Sequence, residues 1–232
     1  MNKHFKFAIF LIAWLGTIIT ILAQENTVDY NFKKGEVLDI LLLTNGPDVA
    51  TLFPKYRETA FPVASKFSFQ PIPGLSIAKT IQGGVQPEAM IFGKWDSKVK
   101  REGFLKAIVP AVPNFHEQRR ALWSYFTLTY YEMLKDTNFT IDRSKYNVVT
   151  SYWGEGTSFT NYIKVFKKAI ATKGGKEIIT FTNGYSPVGY VYNPDYITIT
   201  QWESKAAFDM FYKKHQAMEE TSITNVHQFV LD

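Results

Sequence analysis

The chain contains no cysteine. That excludes disulfides, thiol nucleophiles, cysteine metal ligands and a lipidated N-terminal cysteine. Histidine is scarce as well: after His4 only His116, His215 and His227 remain. None has a second ligand-type residue at a spacing such as H-x3-H, so no metal site is expected. G-x-S-x-G, the P-loop and G-x-G-x-x-G are all missing. Gly83-Gly84 and Gly174-Gly175 are turn glycines, too short to cradle phosphate, and no cofactor is expected. Nor is there a large excess of one charge. The formal net charge is +5, with basic residues scattered among acids, so the footprint of a nucleic-acid binder is missing.

What is present is core material: 46% of residues are hydrophobic and 16% aromatic, enough to fold without disulfides. The first residues stand apart. Lys3 and Lys6 precede an uncharged apolar run from Phe7 to Ala23, which ends in small residues before Gln24. This pattern is that of a secretory signal cleaved before Gln24. The alternative is an uncleaved anchor, although the run is at the short edge of what spans a bilayer. The expectation is a periplasmic or secreted bacterial protein, off the membrane after cleavage, monomeric or weakly dimeric. Without residues 1–23 the charge falls to +3.

Two stretches of the chain read alike. Setting Trp95 on Trp202 aligns Asp96-Ser97-Lys98 with Glu203-Ser204-Lys205 without a gap, and also Phe104 with Phe211 and Lys106 with Lys213. Upstream, Gln86-Pro87-Glu88 matches Asn193-Pro194-Asp195, and Gly74-Leu75-Ser76 matches Gly184-Tyr185-Ser186. A repeat of this length is too long for a solenoid unit of roughly 20 to 50 residues and suits a duplicated small domain. The motif has a structural reading. Trp closes a strand, Ser caps a helix, and Phe returns to the same face two turns later.

Each half reads as β-α-β-β-α-β, a ferredoxin-like order. The first half has a strand over Val37 to Thr44 and a helix after Asp48 that Pro62 is expected to end. Strands follow around Phe67 to Thr80 and Ala89 to Trp95, then a helix from Ser97, a short helical stretch Asn114 to Arg120 and a strand Leu122 to Tyr131. The second half has strand Asn147 to Trp153, a helix stopped by Gly174-Gly175, strands Glu177 to Thr182 and Tyr196 to Trp202, a helix from Lys205 and strand Asn225 to Leu231. The resulting division is signal peptide 1–23, first repeat 24–134, polar linker 135–145 and second repeat 146–232. Asn138-Phe139-Thr140 in the linker is a glycosylation sequon.

A four-stranded sheet with helices on one face must bury the other. Two copies pressed together by their open faces close a barrel, so the fold class expected is α+β, two tandem ferredoxin-like repeats in one pseudo-dimeric α+β barrel. The apolar strand followed by W-[DE]-S, the helix with Phe and then Pro113-Asn114-Phe115-His116-Glu117-Gln118-Arg119-Arg120 resemble the dimeric α+β barrel superfamily. It includes antibiotic-biosynthesis-monooxygenase-like proteins, and the last segment looks like the S-x-E-Y-x-x-x-R stretch of a small bacterial family of unknown function. The resemblance covers residues 37–134 and 146–231. It implies that one chain supplies both halves of a barrel that members usually build from two.

Strand alternation then suggests a site in the barrel lumen. Tyr125, Thr127 and Thr129 share one strand face with Trp123 and Tyr131, while Phe126, Leu128 and Tyr130 suit the face beneath the helices. Asn225 and His227 share a face in the last strand, and Thr198, Thr200 and Trp202 share one in the strand before the last helix. With Trp95, these residues are expected to bind a small, mostly apolar organic ligand. His227 is the acid/base candidate and Tyr125 its catalytic companion. His116 and His215 suit helix ends. Three functions follow: an exported small-molecule binder, a cofactor-independent oxygenase or isomerase acting on an aromatic or other small substrate, or a structural or partner-binding envelope protein.

Overall fold

A computed structural model describes residues 26–187, 189–216 and 222–232. The apolar run of residues 7–23 lies outside the described residues, and no described helix is long and apolar enough to cross a membrane. The first half runs β2 (Val37–Asn45), α1 (Val49–Lys66), β3 (Gln70–Gln82), β4 (Ala89–Trp95), α2 (Lys98–Ala111), α3 (Phe115–Leu122) and β5 (Trp123–Glu132). The second runs β7 (Tyr146–Gly154), α4 (Gly156–Thr172), β8 (Gly175–Phe181), β9 (Tyr196–Trp202), α5 (Lys205–Gln216) and β10 (Ile223–Leu231). Two further strands, β1 (Thr27–Phe32) and β6 (Thr137–Asp142), pair with each other.

The large sheet is antiparallel throughout, in the order β5-β2-β4-β3-β10-β7-β9-β8. Within each half the permutation is the same: fourth strand, first, third, second. The sheet curls until its ends meet. Just beyond β8, Tyr185 exchanges two backbone hydrogen bonds of 2.9 Å with Tyr130 of β5. The result is an α+β barrel with a ferredoxin-like strand order in each half. Its inside is an apolar core. Leu38, Ile40 and Leu42 of β2, Met90 and Phe92 of β4, Ile197 and Ile199 of β9, and Phe229 and Leu231 of β10 are all buried there. Two more clusters lie outside the barrel, one under the helices of each half.

The repeated motif has the same local geometry twice. Ser97 Oγ accepts from the Lys100 N–H at 3.3 Å, and Ser204 Oγ accepts from the Ala207 N–H at 3.2 Å. Each satisfies a first-turn donor that the helix itself cannot pair. The Trp95 and Phe104 rings lie 5.1 Å apart at 39°, and those of Trp202 and Phe211 lie 4.6 Å apart at 39°.

Two expectations fail. Pro62 does not end α1, which continues to Lys66 because Ala60 and Ala64 hold its last turns against the first-half core. Residues 135–145 are not simply a polar linker, since they contain β6. Phe139 and Ile141 alternate inward there and join Tyr30 and Phe32 of β1 in the barrel core. A two-stranded ribbon is marginal alone. This one is tied down by Tyr30 Oη donating to the Pro73 carbonyl at 3.0 Å and Arg143 Nη2 donating to the Gly74 carbonyl at 3.1 Å.

Candidate functional site

The residues expected to form one lumen site are divided among three layers. Thr127, Thr129 and His227 are buried with their side chains toward the barrel interior, and Tyr125 is half-buried against the same core. His227 packs 4.9 Å from the Trp153 ring and 5.5 Å from Tyr192. Its Nε2 is 3.5 Å from Asn225 Nδ2, and Asn225 itself is exposed. Gly83, at φ +113°, brings backbone against this imidazole: a Cβ there would meet His227 Cδ2 at 2.4 Å. Burial lowers the His227 pKa and raises that of Tyr125, with the neighbouring Thr127 hydroxyl opposing the latter.

Thr198, Thr200, Trp202 and Trp95 face the other way. Thr200 Oγ1 accepts from the Trp202 indole N–H at 3.0 Å, and Trp202 lies under α5 with Phe208 and Phe211. Thr198 donates to the Ile179 carbonyl at 3.0 Å. Trp95 belongs to the first-half helix layer with Phe104. These four do not line a lumen, because the pleat that turns Ile197 and Ile199 inward turns Thr198, Thr200 and Trp202 outward. The lumen itself is filled by the core described above.

A cavity of about 420 Å³ lies elsewhere, between α1, α2 and α3 and the outer face of β2, β4 and β5. Its wall is largely aromatic: Phe53, Tyr56 and Phe61 come from α1, and Trp123 and Phe126 from β5, over Leu41, Ile91 and Leu128 of the sheet. α1 packs on α2 and α3 rather than on the sheet, and the side chains it fully buries, Ala60 and Ala64, are too small to fill the space between. The space is open to solvent. Ile91 lies on an interior strand beneath the helices and is still 37% exposed.

Among the described residues, the charged ones lining the cavity are Asp39, Arg101 and Arg119. Asp39 is the single charge in the apolar strand β2 and is 3% exposed. Arg101, on α2 and 2% exposed, donates Nε to both Asp39 carboxylate oxygens at 2.8 Å. Burial pushes the Asp39 pKa up, and the Arg101 charge and hydrogen bonds, the Trp95 indole and Arg119 oppose that. The Arg101 guanidinium lies 5.0 Å from the Trp95 ring and 5.4 Å from Tyr130, and its Nη1 has no hydrogen-bond partner.

Arg119 comes from the buried face of α3, between Phe115 and Leu122, and is 8% exposed. Its guanidinium is stacked 3.6 Å from the Phe126 ring and 4.6 Å from Tyr190, and Nη1 donates to the Tyr190 hydroxyl. Its Nε has no partner. Burial lowers its pKa, opposed by Tyr56, Tyr190 and Asp39. Burial likewise raises the Tyr56 pKa, with Arg119 opposing. Tyr190 belongs to the segment after β8. That segment straps the first half, with Ser186 Oγ donating to the Leu128 carbonyl at 2.8 Å.

None of these three charges was singled out from the sequence, yet signals exist. Arg101 lies six residues past Trp95, where the second half has the core residue Phe208 six past Trp202. Asp39 faces Gly93 two residues before Trp95, and Val148 faces Thr200 two before Trp202. A buried ion pair thus stands where the other half has Val and Phe. A second cavity, of about 480 Å³, borders the junction of α5 and β10, whose connecting residues 217–221 lie outside the described residues. Among the described residues no three His, Asp or Glu converge as metal ligands.

No protein-family model and no curated protein sequence matches the chain. Solved structures do. An anthrone oxidase-like protein matches at 13% identity and TM-score 0.48, over 88% of this chain and 94% of that one. Chlorite dismutase from Candidatus Nitrospira defluvii, in complex with imidazole, matches at 10% identity and TM-score 0.48, over 87% and 92%. A protein of unknown function from Rhodopseudomonas palustris matches at 14% identity and TM-score 0.36, over 44% of this chain and 85% of that one.

Proposed function

We propose that this chain is a small-molecule-binding α+β barrel protein whose site is the cavity beneath α1, and not the barrel lumen. The observation that carries this is the aromatic-walled space of about 420 Å³ over the first-half sheet, open to solvent beside Ile91. Ligand pockets in proteins are of this size and character, mostly apolar with a few placed polar groups.

The same reading takes the two halves, residues 24–134 and 146–232, as tandem copies of one unit. Support comes from the identical strand permutation, the paired serine caps and the matching Trp–Phe geometry. In the second half the space under the first helix is filled, and in the first half it is open. The uncharged run Phe7 to Ala23 behind Lys3 and Lys6 supports export to the periplasm or beyond. Fractionation that leaves the protein in the cytoplasm, with residues 1–23 attached, would refute that part.

Trp95 and Trp123 both line the cavity, so indole fluorescence reports its occupancy. Decanol is expected to shift that emission saturably. Ala64→Phe, which fills the space from α1, is expected to weaken binding by about tenfold or more. His227→Ala and Tyr125→Phe, on the barrel-interior side, are expected to leave it unchanged. Binding indifferent to Ala64→Phe and abolished by His227→Ala would place the ligand elsewhere and reject the proposal.

A further inference from the structure

We infer that the ligand of this cavity is an anion: a mostly apolar molecule bearing a carboxylate, drawn to the unmatched charge of the Arg119 guanidinium beside the Asp39–Arg101 pair. This rests on the reading of the cavity given above and adds the chemistry of its occupant.

The charges lining the cavity do not balance. Asp39 is consumed by Arg101, which it grips through both carboxylate oxygens. Among the described residues Arg119 has no acidic ion-pair partner, and the cavity wall carries no carboxylate besides Asp39. A guanidinium stays charged in proteins, so a net positive charge sits in an apolar space. Burying a charge without a counter-charge is costly. The Phe126 and Tyr190 rings offset part of that cost by covering the guanidinium. Ring stacking serves the faces of the group and leaves its edge, and there Nε–H is unpaired.

Arg101 repeats the pattern. Its Nε is committed to Asp39, Trp95 and Tyr130 lie against the guanidinium, and Nη1 is unpaired. Two buried guanidinium groups therefore line one cavity with a single carboxylate between them, and each feels the other's charge. A carboxylate's one negative charge matches that excess. A neutral ligand would leave the charge unmatched. A cationic one would add to it. The wall selects the rest of the molecule: around the three charged residues it is aliphatic and aromatic, with little to hydrate a polar body.

The test uses the full-length protein and a matched pair of probes, decanoate and decanol, titrated by calorimetry and indole fluorescence at neutral pH. Decanoate is expected to bind at least about tenfold more tightly than decanol. Arg119→Gln is expected to bring decanoate down to the decanol level without weakening decanol, while Arg119→Lys keeps part of the preference. Equal binding of the two probes to the wild type, with both lost in Ala64→Phe, overturns the anion inference and leaves the cavity reading standing. No binding of either, or binding indifferent to Ala64→Phe, overturns both. Should Arg119→Gln fail to fold, the wild-type ratio still decides.

Discussion

The two helix layers of this barrel are built on the same plan and filled differently. In the second half α4 seats Phe159, Tyr162, Phe166 and Ile170 against the sheet, where they join Trp202, Phe208 and Phe211 in one apolar cluster. In the first half the equivalent helix, α1, fully buries only Ala60 and Ala64, and an ion pair stands in place of Val148 and Phe208. The filled half contributes close packing. The open half gives up packing and gains a walled space with charges in it. A shared frame thus carries two tasks, and the difference lies in about half a dozen side chains.

The comparison breaks most sharply at the ion pair. Arg101→Ala leaves Asp39 buried without its partner and is expected to cost about 3–5 kcal/mol in urea unfolding. The double change Asp39→Val with Arg101→Phe installs the second half's residues. It is expected to be neutral or stabilising by about 1–4 kcal/mol, because a well-packed apolar pair avoids desolvating two charges. Loss of stability in the double variant as large as in Arg101→Ala would show that the halves are not interchangeable there.

Aromatic truncation comes next. Phe166→Ala in the filled half is expected to cost about 3–5 kcal/mol, as for a fully packed core ring. Phe61→Ala at the open cavity is expected to cost about 1 kcal/mol, because its ring is only partly buried and space already surrounds it. Equal losses would mean that α1 is seated as firmly as α4. The caps should show no difference between halves. Ser97→Ala and Ser204→Ala are each expected to cost about 1 kcal/mol, since each removes one acceptor from a first-turn N–H.

The smallest effect is a pH dependence. Burial depresses the pKa of His227. Below the ordinary histidine value of about 6.5 the unfolded chain takes up a proton that the folded one resists. Stability therefore falls as pH drops from 6.5 toward the depressed folded value, and levels off below it. His227→Asn is expected to flatten part of that slope in melts between about pH 7 and pH 5. His215 is depressed in the same direction and keeps its own contribution.

Much of this architecture was legible locally. Helical spacing, serine caps and the Gly174 stop depend on residues a few positions apart, so the elements carry their own signals. The ribbon of β1 and β6 was missed because β1 has only three inward apolar residues and β6 two, each set among polar neighbours. The choice of face failed for β9. Its Thr face and its Ile face are both buried, one under the helices and one in the barrel, so the alternation does not say which face is inside. In β5, whose Thr and Tyr face opposite Phe and Leu, the two faces separate more clearly.

The sequence by itself determined the repeated βαββαβ order, the strand–cap–helix joints and the supply of aromatic residues to close a barrel. These follow from short-range stereochemistry and from the need to bury one face of each sheet. Only the tertiary structure decided where space was left. Asp39, Arg101 and Arg119 lie on three separate elements, and Tyr190 reaches Arg119 from the other half of the chain. No spacing along the chain encodes their meeting. It arises because α1 is held away from the sheet, and a void is a property of the whole packing rather than of any one segment.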